Sequence, residues 1–312
     1  MIYPWQASAW ESIRRMRHSH RLHHALLFTG ENGCGNEDFI HAMAAALLCS
    51  EPDAAGHACG HCRNCQVFAG QAHPDYLFVG LQEERQSILI EQIRELNHFL
   101  GLSRSYSSRR VAVISPADRM NINAANSLLK SLEEPADGTH ILLLTAHPAS
   151  LLPTIRSRCQ LVRLPLPEHT AALAWLQTHA LQHPAPALLE TAHGRPLAAL
   201  ELDSTDMLTN RNQWFQHLLQ MVQGDGNITG VSAHWEKFDK SLLLDWQLEC
   251  LLGAIKREAS ADPVLSRLQH GIAAKNLWNM HEKLLELKQL ATHPLNPRLY
   301  VESMLMLWQV RH

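Results

Sequence analysis

The segment Gly30-Glu-Asn-Gly33-Cys34-Gly35-Asn36-Glu37 has the glycine spacing of a phosphate-binding loop, but not its chemistry. A working loop reads G-x-x-x-x-G-K-[ST] between a strand and a helix. Its glycines let backbone N–H groups wrap the phosphates, its Lys neutralises them, and its hydroxyl holds Mg²⁺. Here Asn36 stands at the Lys position and Glu37 at the hydroxyl position. Glu37 and Asp38 also place carboxylates at the start of the following helix, where they satisfy the dipole and repel a triphosphate. The magnesium-holding acid should close the third strand, yet Val111-Ala-Val-Ile114 runs into Ser115-Pro116. Both halves of the machinery fail independently, which predicts a degenerate loop with no ATP as cofactor. The competing reading is a plain glycine-rich turn between strand and helix.

Four cysteines form the second group. Cys49, Cys59, Cys62 and Cys65 are spaced C-x9-C-x2-C-x2-C. Four thiolates suit tetrahedral Zn²⁺, and each C-x2-C step lets a tight turn present two sulfurs to one ion. With no activated-water motif nearby, the metal would be structural. His57 or His61 in place of one thiolate, most simply Cys49, is an alternative. An iron–sulfur centre is another, although the downstream Cys followed by Pro is missing. Cys34 and Cys250 read as small apolar residues.

The elements that must position these groups alternate in the first half of the chain, which predicts an α/β fold with a largely parallel sheet. The strands fall at 24–29, 76–79, 111–114, 140–145 and 161–164. Phe39, Ile40, Met43, Ala44 and Leu47 mark one helix face; Ile90, Ile93, Leu96, Phe99 and Leu100 mark another. A third helix is capped by Asn121, presents Ile122, Ala125, Leu129 and Leu132, and ends before Pro135. After the proline-bearing linker 165–167 come small helices, broken near Gly194 and Pro196. From about 208 only helical periodicity remains, with a loop at 223–227. The resulting expectation is three parts: 1–165 with a zinc module inserted at 49–65, 166–207, and 208–312. The stretch Tyr300-Val-Glu-Ser-Met-Leu-Met-Leu-Trp308 is expected to leave part of its apolar surface for a partner.

Composition narrows the function. Lys plus Arg number 27 against 30 acidic residues, a net charge of −3, which argues against a protein that coats nucleic acid by bulk electrostatics. No apolar run is long enough for a membrane span. Seven cysteines and no secretory pattern at the start predict a reducing, cytoplasmic setting.

The segment Asn123-Ala-Ala-Asn-Ser-Leu-Leu-Lys-Ser-Leu-Glu-Glu-Pro135, followed by Thr154-Ile-Arg-Ser157-Arg158-Cys159, resembles bacterial clamp-loader subunits of the AAA+ class. The resemblance covers residues 1 to about 165, weakens over 166–207, and beyond that rests on helical character. It implies a P-loop NTPase-like (AAA+, RecA-like) domain carrying the zinc module, a small helical lid domain and an all-α collar domain. It also implies a place in a hetero-oligomeric ring with ATP-hydrolysing motor subunits (gamma or tau) and a delta subunit. That ring opens a sliding clamp and loads it on primed DNA for a replicative polymerase. Within it Arg158, flanked by Ser157 and Cys159, would complete a neighbour's ATP site as an arginine finger acting in trans. Two departures from an active motor agree with a silent site: Leu197 stands where the lid of a motor carries an Arg, and Thr145 has no nucleotide of its own to sense. An active motor subunit and a zinc-dependent nucleic-acid reader are the competing functions. The residues at 36, 37, 115 and 116 oppose the first. The scarcity of basic and aromatic residues around the cysteines opposes the second.

Overall fold

The computed structural model describes residues 1–83, 85–257, 260, 262–291 and 296–309. In chain order the first part comprises α1 (Ala7–His18), β1 (Ala25–Thr29), α2 (Asn36–Leu48), α3 (Arg63–Ala69), β2 (Tyr76–Val79), α4 (Ile90–Gly101), β3 (Arg110–Ile114), α5 (Ile122–Glu133), β4 (Thr139–Thr145), α6 (Pro153–Arg156) and β5 (Gln160–Arg163). The five strands form one sheet in the order β2-β3-β4-β1-β5, and every pair is parallel. Central strands buried on both faces need apolar residues throughout, which is why they read as continuous runs rather than alternating ones. Leu26, Phe28, Val111, Val113, Leu142 and Leu144 face one side with residues of α1 and α2. Ala25, Leu27, Ala112, Ile114, Ile141 and Leu143 face the other with residues of α4 and α5.

All five predicted strands are present, with ends shifted by at most one residue. Asn121 caps α5 as expected, its side chain accepting from the Ala124 N–H at 2.8 Å. The buried face of α5 differs from the expected one. It is Ala124, Ala125, Leu128 and Leu132, whereas Ile122 is 70 % exposed. Ile122 is the first helical residue, and the cap turns its side chain away from the sheet.

The chain continues as α7 (His169–Leu176), α8 (Ala185–Thr191), α9 (Pro196–Asp203), α10 (Met207–Gln223), α11 (Ile228–Trp235), α12 (Lys240–Lys256), α13 (Pro263–His270), α14 (Ala274–Leu290) and α15 (Pro297–Met306). Two compact units result: Met1–Trp175 with Gly194–Ala198, and Leu176–His193 with Ala199–His312. The second has its own core, built around Trp214, Trp235 and Trp308. Tyr300, Val301, Met304, Leu305 and Trp308 all belong to it, and the Trp308 Nε1–H donates to Gln247 Oε1 at 2.6 Å. The C-terminal stretch therefore turns its main apolar face into its own bundle. Of that stretch only Met306 is a large exposed apolar side chain among the described residues. No helix among them is long and apolar enough to cross a membrane.

Candidate functional site

The glycine loop joins β1 to α2, as a phosphate-binding loop does. Gly33 and Gly35 have φ of +78° and +75°, conformations that other residues adopt only with strain. At Gly35 a Cβ would also lie 2.1 Å from the Tyr3 ring. The loop is closed by the chain's own groups. Asn36 is buried, donates to the Glu31 carbonyl at 2.8 Å, and lies over Gly30. Gln6 donates to the carbonyls of Cys34 and Gly35, both at 3.0 Å, and the Trp5 Nε1–H also reaches the Cys34 carbonyl at 3.0 Å. The Gly33 carbonyl accepts the N–H groups of Leu197 and Ala198, the first turn of α9. Leu197 meets the loop through its backbone N–H. Tyr3 and Trp5 stack 5.1 Å apart with Trp175 edge-on to both, covering the loop with an aromatic cluster.

Glu37 and Asp38 occupy the first turn of α2, as predicted. Asp38 accepts from the Tyr3 hydroxyl at 2.7 Å. Burial, reinforced by this carboxylate, pushes the Tyr3 phenol up to about 12. Ser115 and Pro116 end β3 without a carboxylate, but an acid stands close by that the sequence reading overlooked. Asp118 accepts from the Thr145 hydroxyl at 2.6 Å, and its side chain is 7 % exposed. Thr145 also accepts from the His147 N–H at 2.9 Å. The polar residue at the end of β4 is therefore engaged within the fold.

The four cysteines converge. Cys49 closes α2, Cys59 follows an extended excursion, and Cys62 and Cys65 begin α3, with Cys62 as its cap. The excursion is tied to α1 by the Trp10 Nε1–H on the Ala55 carbonyl at 2.9 Å and by His57 stacked on Trp10 at 4.9 Å. Asn64 anchors α3 through the Leu48 carbonyl at 3.0 Å. All four Sγ atoms lie within 4.8 Å of one another, at 3.6 Å for Cys49–Cys59 and 3.9 Å for both Cys49–Cys62 and Cys59–Cys65. Ligands at ~2.3 Å from a tetrahedral ion sit about 3.8 Å apart, so one ion fits between them. The N–H groups of Cys59, Cys62 and Cys65 approach the sulfurs of Cys49, Cys59 and Cys62, which favours thiolates. His57 is not among the converging ligands; it pairs with Asp53 at 3.4 Å, and His61 is exposed. The cluster can hold a metal ion such as zinc.

Arg158 lies between α6 and β5. Its Nε and Nη2 both reach Glu133 Oε1, at 2.7 and 2.6 Å, and Nη1 donates to the Thr154 carbonyl at 3.0 Å. Ser157 donates to the same carbonyl at 3.1 Å. Cys159 is half-buried, and burial pushes its thiol up to about 12. The Arg158 and Glu133 side chains keep 35 % and 49 % exposure, so their ion pair is a surface one. Both contacts share one oxygen rather than forming a parallel fork, which weakens the pair further.

A buried pair behind the sheet also went unread. Asp75 and Arg110 meet at 3.1 Å with 0 % and 2 % exposure. Asp75 accepts the N–H groups of Ser105, Tyr106 and Ser107 at 2.7–2.9 Å. Arg110 also donates to the carbonyls of Phe99, Leu102 and Ser103. Together they fix the loop from α4 to β3, whose Tyr106 receives Arg63 of the cysteine module at 3.0 Å.

Residues 5–168 match the family model described as "DNA polymerase III, delta subunit". The chain is 34 % identical to DNA polymerase III subunit delta′ of Pseudomonas aeruginosa over 98 % of its length and 97 % of the relative's. It is 32 % identical to the Escherichia coli protein of the same name over 88 % of the chain and 82 % of the relative. Among solved structures, a gamma-subunit-related DNA polymerase III protein of Thermotoga maritima shares the fold, with a TM-score of 0.50, 17 % identity, and coverage of 95 % of this chain and 98 % of that one. With the parallel sheet, the glycine loop and the four-cysteine module all in place, this chain belongs to the DNA polymerase III subunit delta′ family.

Proposed function

We infer that the chain is a non-hydrolysing subunit of the bacterial clamp loader, which helps load the sliding clamp on primed DNA and lends Arg158 to a neighbouring motor subunit. The observation that carries this reading is the side chain at the Lys position. Asn36 is buried and turned back onto the Glu31 carbonyl at 2.8 Å, and Glu37 and Asp38 place carboxylates in the first turn of α2, where a phosphate would sit. A chain that lacks the Lys, the hydroxyl and the strand-end acid has no hydrolysis of its own for Arg158 to serve, so that residue acts across a subunit boundary. Partners are the gamma or tau motor subunits and the delta subunit, with the clamp and primed DNA engaged transiently. The division into an AAA+ domain (1–165), a lid (166–207) and a collar (208–312) belongs to the same reading. Purification of a tagged copy from its native host is expected to bring down the motor and delta subunits in fixed ratio. Recovery of the chain alone, or with unrelated proteins, contradicts the reading.

The metal in this reading is one structural Zn²⁺ per chain. Sulfurs as close as 3.6–3.9 Å surround a single ion, whereas an iron–sulfur cluster spreads its cysteines farther apart. Cys62→Ser is expected to release the metal and to loosen residues 49–70, because Cys62 both ligates and caps α3. The helical bundle beyond 208 should stay folded on its separate core. Elemental analysis and hydrogen exchange check this; a full zinc complement in Cys62→Ser, or a brown wild-type protein, overturns it.

A further inference from the structure

The stretch from Arg14 to His24 carries four Arg, four His and no acidic residue, in a chain whose net charge is −3. Arg14 and Arg15 are answered by Glu11 one turn earlier. The others lie beyond its reach. After α1 the N–H groups of Ser19, His20 and Arg21 close on the carbonyls of Arg15, Arg17 and Met16, and the turn leaves His18, His20 and Arg21 exposed. The chain then enters β1, where the rings of His23 and His24 lie 4.2 Å apart. β4 and β3 begin alongside and bring His140 and Arg109 to the same end of the sheet. By strand alternation with Leu142 and Val111, both side chains fall on the face that carries α1. This end is opposite the glycine loop, which follows the last residue of β1.

Two guanidiniums meet there without a carboxylate. Arg17 and Arg109 are half-buried, and neither forms an ion pair among the described residues. Arg17 Nη1 donates to the Gly56 carbonyl at 3.4 Å, whereas Arg109 makes no side-chain hydrogen bond. Only Arg109 Nη1 is enclosed by protein; Nε and Nη2 of both residues stay open to solvent. Burial, and then the Arg109 charge, disfavour the Arg17 cation, while burial pushes His140 down to about 4, helped by Arg109, His24 and Arg17. Ionised Cys49 offsets part of the Arg17 charge, but burial alone acts on Arg109. The negative end of α1 accounts for Arg17 and His18 in its last turn. It does not account for Arg109, which arrives from the loop before β3. Half-buried like charges cost energy that a bound anion relieves. A planar guanidinium fork matches the oxygens of phosphate or carboxylate. Repetition selects phosphate: beyond the two forks, Arg21 and the imidazoles of His18 and His20 continue outward over the exposed turn, as a chain of phosphates requires. We propose that this end of the sheet binds the phosphodiester backbone of a nucleic-acid strand, with Arg17 and Arg109 on one phosphate and the turn after α1 on its neighbours. A mononucleotide engages too few of these groups to bind below millimolar concentration.

The test uses the full chain and a fluorescein-labelled oligothymidylate of about ten nucleotides, followed by anisotropy at low salt. Saturable binding is expected with a Kd on the order of 10–100 µM, and in a ¹⁵N-labelled sample it should shift the backbone amides of Arg17, Arg109 and His140. Arg109→Gln should weaken binding at least about threefold and reduce the slope of log K against log salt by about 0.7, the share of one phosphate contact. Arg17→Gln should act alike, with its metal content measured because Arg17 also holds Gly56 of the cysteine excursion. Lys283→Gln, the same charge change in the second unit, should bind as the wild type does. Circular dichroism verifies folding of each variant. No saturable binding, or equal binding by Arg109→Gln and Lys283→Gln, overturns the proposal. An oligoglutamate of the same length that displaces the strand better than unlabelled oligothymidylate also overturns it, because the site would then belong to an acidic protein segment. So does inorganic phosphate or ATP shifting the same amides at micromolar concentration, which would assign the site to a free phosphate. Because the readout is binding by this chain alone, its failure leaves the clamp-loader reading intact.

Discussion

Arg158→Ala is expected to leave the assembled complex and its thermal stability nearly unchanged while lowering DNA-stimulated ATP hydrolysis and slowing clamp loading. The stability half follows from geometry. A pair with 35 % and 49 % exposure contributes on the order of 0–1 kcal/mol. The rate half follows from the reading that Arg158 leaves Glu133 for a neighbour's γ-phosphate. An arginine finger supplied in trans contributes roughly 10³–10⁵ at the site it serves. The effect on the whole complex should be smaller than that factor, because the other motor sites keep their own arginines. Arg158→Lys should fall close to Arg158→Ala, since a point charge does not reproduce a planar, forked contact. Glu133→Ala separates the two possible roles. If Arg158 mattered by holding Glu133, both alanine variants would lose the same activity; if it serves a neighbour, Glu133→Ala keeps its ATPase or gains slightly. Steady-state ATPase and loading assays on a reconstituted complex read all three variants, and a wild-type rate for Arg158→Ala removes the finger from the account.

Asp75→Asn is expected to be the most destabilising single change considered for the N-terminal unit. It leaves the Arg110 guanidinium buried without its counter-charge, a defect that costs about 3–5 kcal/mol. For a unit of this size that corresponds to a loss of roughly 6–20 °C in its thermal midpoint. The same pair sets an acid limit. Burial alone would raise the Asp75 carboxyl, but the N–H groups of Ser107, Tyr106 and Ser105 and the Arg110 side chain outweigh it and hold it below the usual carboxylate range. A carboxyl with a lowered folded pKa stabilises the fold fully above its unfolded value of about 3.9. That contribution is lost as pH falls from there through the folded value. Differential scanning calorimetry from pH 7 to pH 3 on wild type and Asp75→Asn is the check. Above pH 5 the gap between them should be constant, and it should narrow at the acid end. A gap below about 1 kcal/mol at neutral pH contradicts the structural role.

The parts of this fold with local signatures were legible in the sequence. Buried parallel strands are unbroken apolar runs, Asn121 announces a helix start, and the cysteine spacing announces convergence. What escaped was assembled by contacts distant in the chain. Asp75 and Arg110 are 35 residues apart, Thr145 and Asp118 are 27 apart, and the Gln6 contact to the Cys34 carbonyl spans 28; no short-range pattern links them. The Tyr300–Trp308 stretch illustrates a related limit. Apolar periodicity shows that a face must be buried but not what buries it, and here the bundle itself does so. The glycine loop shows the same division: the substitutions at 36 and 37 were plain from the sequence. That Asn36 turns back onto Glu31 while the N-terminal segment covers the loop is a property of the fold.

The central claim is that this chain has given up nucleotide for itself and retains only what it lends to a neighbour. Equilibrium binding of a fluorescent ATP analogue to the isolated chain, with Mg²⁺, tests that claim most directly. No saturable binding is predicted up to about 1 mM, where even a weak specific site would contribute only about 4 kcal/mol. Restoring Lys and Thr at positions 36 and 37 should not create turnover, because Ser115 and Pro116 still end β3 without an acid. Micromolar affinity in the wild-type chain would contradict the account.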